Sequence, residues 1–103
     1  MNESPSPSCA PARCIVSITV EDRNGRWAVL QRECTLPFAP ARGQELGWTD
    51  PACDPWSSEV ALAIWELDAA LWHVELEDWV GDEDILTMLA AMGPAWRVLG
   101  AAA

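Results

Sequence analysis

His73 is the only histidine in the chain, and Cys9, Cys14, Cys34 and Cys53 are its only thiols. Acid–base catalysis at His73 would need a nucleophile or an orienting carboxylate within hydrogen-bond reach. Cys34, Glu66 and Glu75 are the types the sequence offers, and no spacing among them asserts a triad. The cysteines run as C-x4-C followed by gaps of 19 and 18 residues, which matches no compact zinc knuckle. Gly43-Gln44-Glu45-Leu46-Gly47 lacks the third glycine and the lysine of a phosphate-binding loop, and H-E-x-x-H is absent. On this inventory the chain reads as a protein that is not an enzyme and holds no cofactor and no metal.

Its strongest chemical feature is electrostatic. From Glu75 to Asp84 six of ten positions are carboxylates, with Trp79 among them. Residues 57–103 hold nine acids against Arg97 alone, a net of −8, whereas the first 56 residues carry −2. These carboxylates admit three readings. They form a solvated face that keeps a Trp-rich protein in solution. They supply oxygens to a calcium-type loop, although the D-x-[DN]-x-[DN]-G order is missing. Or they recognise a basic partner, in which case Glu75, Glu77, Asp78, Trp79, Asp82, Glu83 and Asp84 are the binding residues.

A formal charge of −10 and a pI near 4.2 exclude unaided binding to a nucleic-acid backbone or an anionic membrane, because both demand cationic groups that displace counterions. A basic protein remains as partner. There is no run of about 18 apolar residues, and the N-terminus, with Glu3 and early prolines, lacks the charge and apolar regions of a signal peptide. The cytoplasm is the expected compartment, and there the cysteines stay reduced.

The elements that position these groups follow from periodicity. Residues 1–13 mix Pro, Ser and Ala without hydrophobic rhythm and read as a disordered tail, leaving 14–100 as a single domain. Val16, Ile18 and Val20 alternate with Ser17, Thr19 and Glu21, a half-buried strand. Asn24-Gly25 predicts a tight turn with positive φ at both central residues. A second strand returns from Arg26 to about Leu36, with Ala28, Leu30, Cys34 and Leu36 on one face. Residues 37–55 hold four prolines and read as a long ordered connection with room for a short strand near Glu45 to Trp48.

Residues 57–79 fit a capped helix or two strands turning at Asp68-Ala69-Ala70. The alternation that persists through Trp72, Val74 and Leu76 favours strands. Asp82 is the expected N-cap of a final helix, with Glu83 and Asp84 in its first turn, Ile85, Met88, Leu89 and Met92 on its apolar face, and Gly93-Pro94 as its stop. Trp27, Trp65, Trp72 and Trp96 fit core or sheet-face positions. Trp48, Trp56 and Trp79 fall in loops or beside charges, where an exposed indole would anchor an interface.

The fold class expected is α+β: an antiparallel sheet of about four strands, in two hairpins, packed against one C-terminal helix. The function expected is that of an inhibitor, immunity or antitoxin-type protein, a monomer or homodimer that blocks a basic and possibly nucleic-acid-binding protein through an acidic, Trp-containing surface. The alternative is an assembly component that forms a homo-oligomer through a Trp-lined sheet.

Overall fold

The computed structural model describes residues 11–102, so the proposed tail lies outside the described residues as far as residue 10. The chain order is β1 (Ala12–Glu21), β2 (Trp27–Leu36), β3 (Glu45–Thr49), β4 (Pro55–Glu66), β5 (Leu71–Leu76), β6 (Trp79–Val80), α1 (Ile85–Met92) and β7 (Arg97–Ala102). The four-strand antiparallel sheet is therefore a misreading. Seven strands form one sheet in the order β3-β4-β5-β1-β2-β7, with β6 alongside β1. It is mixed, because β1 runs parallel to β5 and to β6. The helix does not end the chain either, since β7 follows it and pairs antiparallel with β2.

Direction explains where the helix lies. β6 and β7 run parallel to each other on either side of the β1–β2 hairpin. Parallel strands cannot be joined by a tight turn and need a crossover, which here is residues 81–96. α1 is that crossover. Ile85, Met88 and Met92 bury against Val16, Ile18, Val20, Ala28 and Leu30, the inward set of the hairpin.

β4 bends at a bulge between Val60 and Leu62. Its first half and β3 form an arm that brings Trp48 and Trp56 onto the same core as the helix. Trp79, Trp56, Trp48 and Trp96 then form a chain of ring contacts. Centroids are 4.8 Å apart for Trp79–Trp56, 6.2 Å for Trp56–Trp48 and 5.1 Å for Trp48–Trp96.

The tryptophans expected at core or sheet-face positions all lie on or beside the sheet, whereas the three expected in loops or beside charges pack onto the core. Trp48, Trp56 and Trp79 are partly buried members of the core, while Trp27 and Trp65 are 41% and 44% exposed. Only Trp96 of the expected core set is fully buried, and Trp72 is half-buried beside Trp65.

Two hairpin tips share one hydrogen-bond plan. In the first, Asp22 N–H donates to Arg26 C=O, Gly25 N–H donates to Asp22 C=O, and the Asp22 carboxylate accepts from the N–H of Asn24 and Arg26. In the second, Asp50 N–H donates to Asp54 C=O, Cys53 N–H donates to Asp50 C=O, and the Asp50 carboxylate accepts from the N–H of Ala52 and Asp54. Both are type I turns closed by a residue in the left-handed region, Gly25 at φ 81° and Cys53 at φ 67°. The turn with two positive φ values expected at Asn24-Gly25 is thus corrected: Asn24 keeps negative φ, because the Asp22 side chain holds its N–H. Cys53 bears a strain of about 1 kcal/mol that glycine avoids.

Each tip reaches one end of α1. The second Asp22 carboxylate oxygen accepts from Ile85 N–H at 3.1 Å, at the helix N-terminus. At the other end, a Cβ on Gly93 would approach Pro51 of the Asp50 tip to 2.5 Å, so only glycine fits, and its φ of 86° requires glycine as well. The N-cap is Asp84, not Asp82, with its carboxylate accepting from Leu86 and Thr87 N–H. No acid occupies the first turn. Asp22 already holds Ile85 N–H, which fixes the start two residues later than the sequence alone suggests.

Burial pushes the Asp22 pKa up, but the N–H donors of Arg26, Asn24 and Ile85 and the Arg26 charge outweigh it, and the carboxyl titrates below its ordinary value. The Trp56 indole N–H, with the N–H groups of Asp54 and Ala52, lowers Asp50 likewise. Thr87 N–H leads the same effect at Asp84. A folded-state pKa below the unfolded one stabilises fully above the unfolded value, about 3.9, and that stability is lost as pH falls through the folded pKa. Urea midpoints should accordingly be flat near neutrality and fall steeply below about pH 4. Asp22→Asn should start from a lower midpoint at pH 6 and lose less on acidification.

Candidate protein-binding face

The face of the sheet turned away from α1 is open to solvent among the described residues. Alternation sends Ser57, Glu59, Leu62, Ile64, His73, Glu75 and Glu77 outward, opposite the inward Ser58, Val60, Val74 and Leu76. Leu62 is 46% and Ile64 51% exposed, and both lie on late β4, at the margin of this surface. Glu75 is the cross-strand partner of Leu62, and His73 that of Ile64.

Strand register brings carboxylates together that lie far apart in the chain. Glu45 is opposite Glu59 on the β3–β4 pair, and Glu77 N–H donates to Glu59 C=O at 2.8 Å. Glu45, Glu59 and Glu77 therefore form a lateral row, with Glu75 two residues before Glu77 on the same face. Glu45 accepts a hydrogen bond from Ser57 Oγ. No arginine pairs with any of the four. Among the described residues the one contact of this kind joins Glu66 to His73, which bears a charge only when its ring is protonated. Like charges side by side on a sheet repel, and a cationic partner would relieve that repulsion.

The residues expected to bind a partner thus divide. Glu75 and Glu77 belong to the outer face, and Asp78 is exposed just beyond it. Asp82 and Glu83 are exposed in the approach to α1. Asp84 is occupied with helix capping. Trp79 packs on Trp56 and the core, where it serves the fold rather than acting as an exposed anchor. Glu45 and Glu59, absent from the sequence-based set, join through register alone.

The titratable groups of catalytic type do not converge. His73 faces outward against Glu66, whereas Cys34 lies on the inward face of β2 and lines a cleft, so the sheet separates them. Cys14, opposite Cys34 on β1, is buried, and burial foremost, with Cys34 beside it, pushes its thiol up to about 11. That leaves it protonated and unreactive at neutral pH.

The cleft lies between the β3 arm and the sheet. It measures about 290 Å³ and is lined by Val16, Leu36, Leu46, Trp48, Trp96 and the Arg32 side chain among others. Arg32 lies 5.3 Å from the Trp96 ring centroid. The indole N–H groups of Trp48 and Trp96 are buried without an acceptor, sealed from solvent beside the cleft rather than presented to it.

Comparison with protein-family models, with curated proteins and with solved structures finds no match to this chain.

If Trp79 is a core residue, Trp79→Ala should cost about 3–5 kcal/mol in urea unfolding, the range for losing a large packed aromatic. Glu77→Gln should stay within about 0.5 kcal/mol of the parent, as exposed substitutions do. An equally mild effect at Trp79 would return it to the role of a surface anchor.

Proposed function

We propose that this protein is a cytoplasmic binding protein, without chemistry of its own, whose outer sheet face recognises a basic protein surface. The observation that carries this reading is the row Glu45, Glu59 and Glu77 with Glu75, unpaired with arginine, bordering exposed Leu62 and Ile64. Uncompensated charge steers the encounter, and apolar side chains that bury on contact slow dissociation. Blocking by occupancy is the inhibitor, immunity or antitoxin form of this activity. The net charge of −10 supports a protein partner over a nucleic acid or an anionic membrane. No helix among the described residues is long and apolar enough to cross a membrane.

The test compares capture by the parent chain with capture by the Glu45→Gln, Glu59→Gln, Glu75→Gln, Glu77→Gln variant, followed by association kinetics with the purified protein that the variant loses. That protein should be basic. Its association rate should fall about tenfold or more in the variant, and also as salt rises from about 50 to about 500 mM. Identical capture by the two chains would overturn the reading.

A further inference from the structure

β4 is the longest strand, at 12 residues, and only part of it has neighbours on both sides. β3 pairs with it from Pro55 to Glu59, and the ladder closes where Val60 N–H donates to Gln44 C=O and Gly43 N–H donates to Val60 C=O. Beyond Val60, β5 continues on the inner side to Glu66, and no strand among the described residues lies on the outer side. The exposed edge reads Ala61-Leu62-Ala63-Ile64-Trp65, without charge, proline or glycine, and three of its side chains are between 44% and 51% exposed.

Natural sheets blunt such edges with charges, prolines or bulges. The opposite edge, β7, has these devices. Arg97 opens the strand, Gly100 interrupts it, and Leu99 is the extra residue of a register shift between Leu30–Val98 and Val29–Gly100. The irregularity of β4 falls at Ala61, the first residue of its bare segment, and leaves 62–65 regular.

We infer that residues 61–65 pair antiparallel with the same segment of a second copy of this chain, about a two-fold axis at Ala63. In that register Trp65 of one copy comes alongside the small Ala61 of the other, where the irregularity of β4 leaves room for the indole. Leu62 lies opposite Ile64 on the outer side. Glu66 falls opposite Val60, so no two carboxylates face each other. A basic strand would find no carboxylate within these five residues, whereas the segment complements itself, and this favours a second copy as the occupant.

Five residue pairs bury less than the roughly 800 Å² per partner of a standard stable interface. Each copy also brings a charge of −10. The dimer is therefore weak, and it tightens as salt screens the repulsion. That sign is opposite to the one expected for a basic partner, so the two associations are separable.

Sedimentation velocity on the full chain, from about 5 to about 500 µM at about 50 and about 500 mM NaCl, tests the inference. The expected result is a monomer–dimer equilibrium with a dissociation constant that falls with salt. Ile64→Lys and, independently, Leu62→Lys should each weaken it at least about tenfold, the effect of placing a charge in an apolar strand pair. Circular dichroism should show the parent fold in both. A monomer throughout, a dimer weakened by salt, or a dimer that survives both well-folded variants would overturn it.

Discussion

A carboxylate taken out of water must find its donors within the protein, and Asp22, 2% exposed, finds them in two distant parts of the chain at once. Asn24 and Arg26 N–H shape the β1–β2 tip, and Ile85 N–H ties that tip to the start of α1. The negative charge also faces the positive end of the helix dipole. An eight-residue helix has little stability by itself. Its place over the hairpin depends on this carboxylate at one end, the Pro51–Gly93 contact at the other, and the burial of Ile85, Met88 and Met92 between them.

That arrangement decides which surfaces remain open. With the helix, the β3 arm and four tryptophans gathered on one face, the other face of the sheet and the outer side of late β4 are left to solvent. The acids on the outer face lie beside apolar residues rather than beside arginines. The bare edge next to them carries no charge at all. One surface thus carries unpaired carboxylates beside apolar side chains, and the other is an uncharged strand edge.

Sequence periodicity made local elements legible and long-range neighbours illegible. The alternation of Val16, Ile18 and Val20 marked β1, and persistence of the alternation to Leu76 correctly chose two strands over a helix for 57–79. The parallel pairing of β1 with β5 joins residues 58 apart and leaves no local trace. β7, rich in Ala and Gly, has low strand propensity and is held by β2 rather than by its own residues. Asp82 was the start that the sequence favoured, and the bond from Ile85 N–H to Asp22 moves it to Asp84. Trp48, Trp56 and Trp79 were placed in loops or beside charges because the arm of β3 and early β4 that carries two of them to the core cannot be seen in its residues. Within the candidate site, Glu75 and Glu77 were visible as part of a charge run, while Glu45 and Glu59 became neighbours only once strands were in register.

Native-state hydrogen exchange on the dilute monomer tests most directly the claim that aspartate-held tips close one side of the sheet and leave late β4 bare. Arg26, Ile85 and Asp54 amides should be protected nearly as well as the core strands, while alternate amides of 61–66 exchange at close to unprotected rates. Rapid exchange at Ile85 and Arg26, or uniform protection from Ala61 to Glu66, would contradict it.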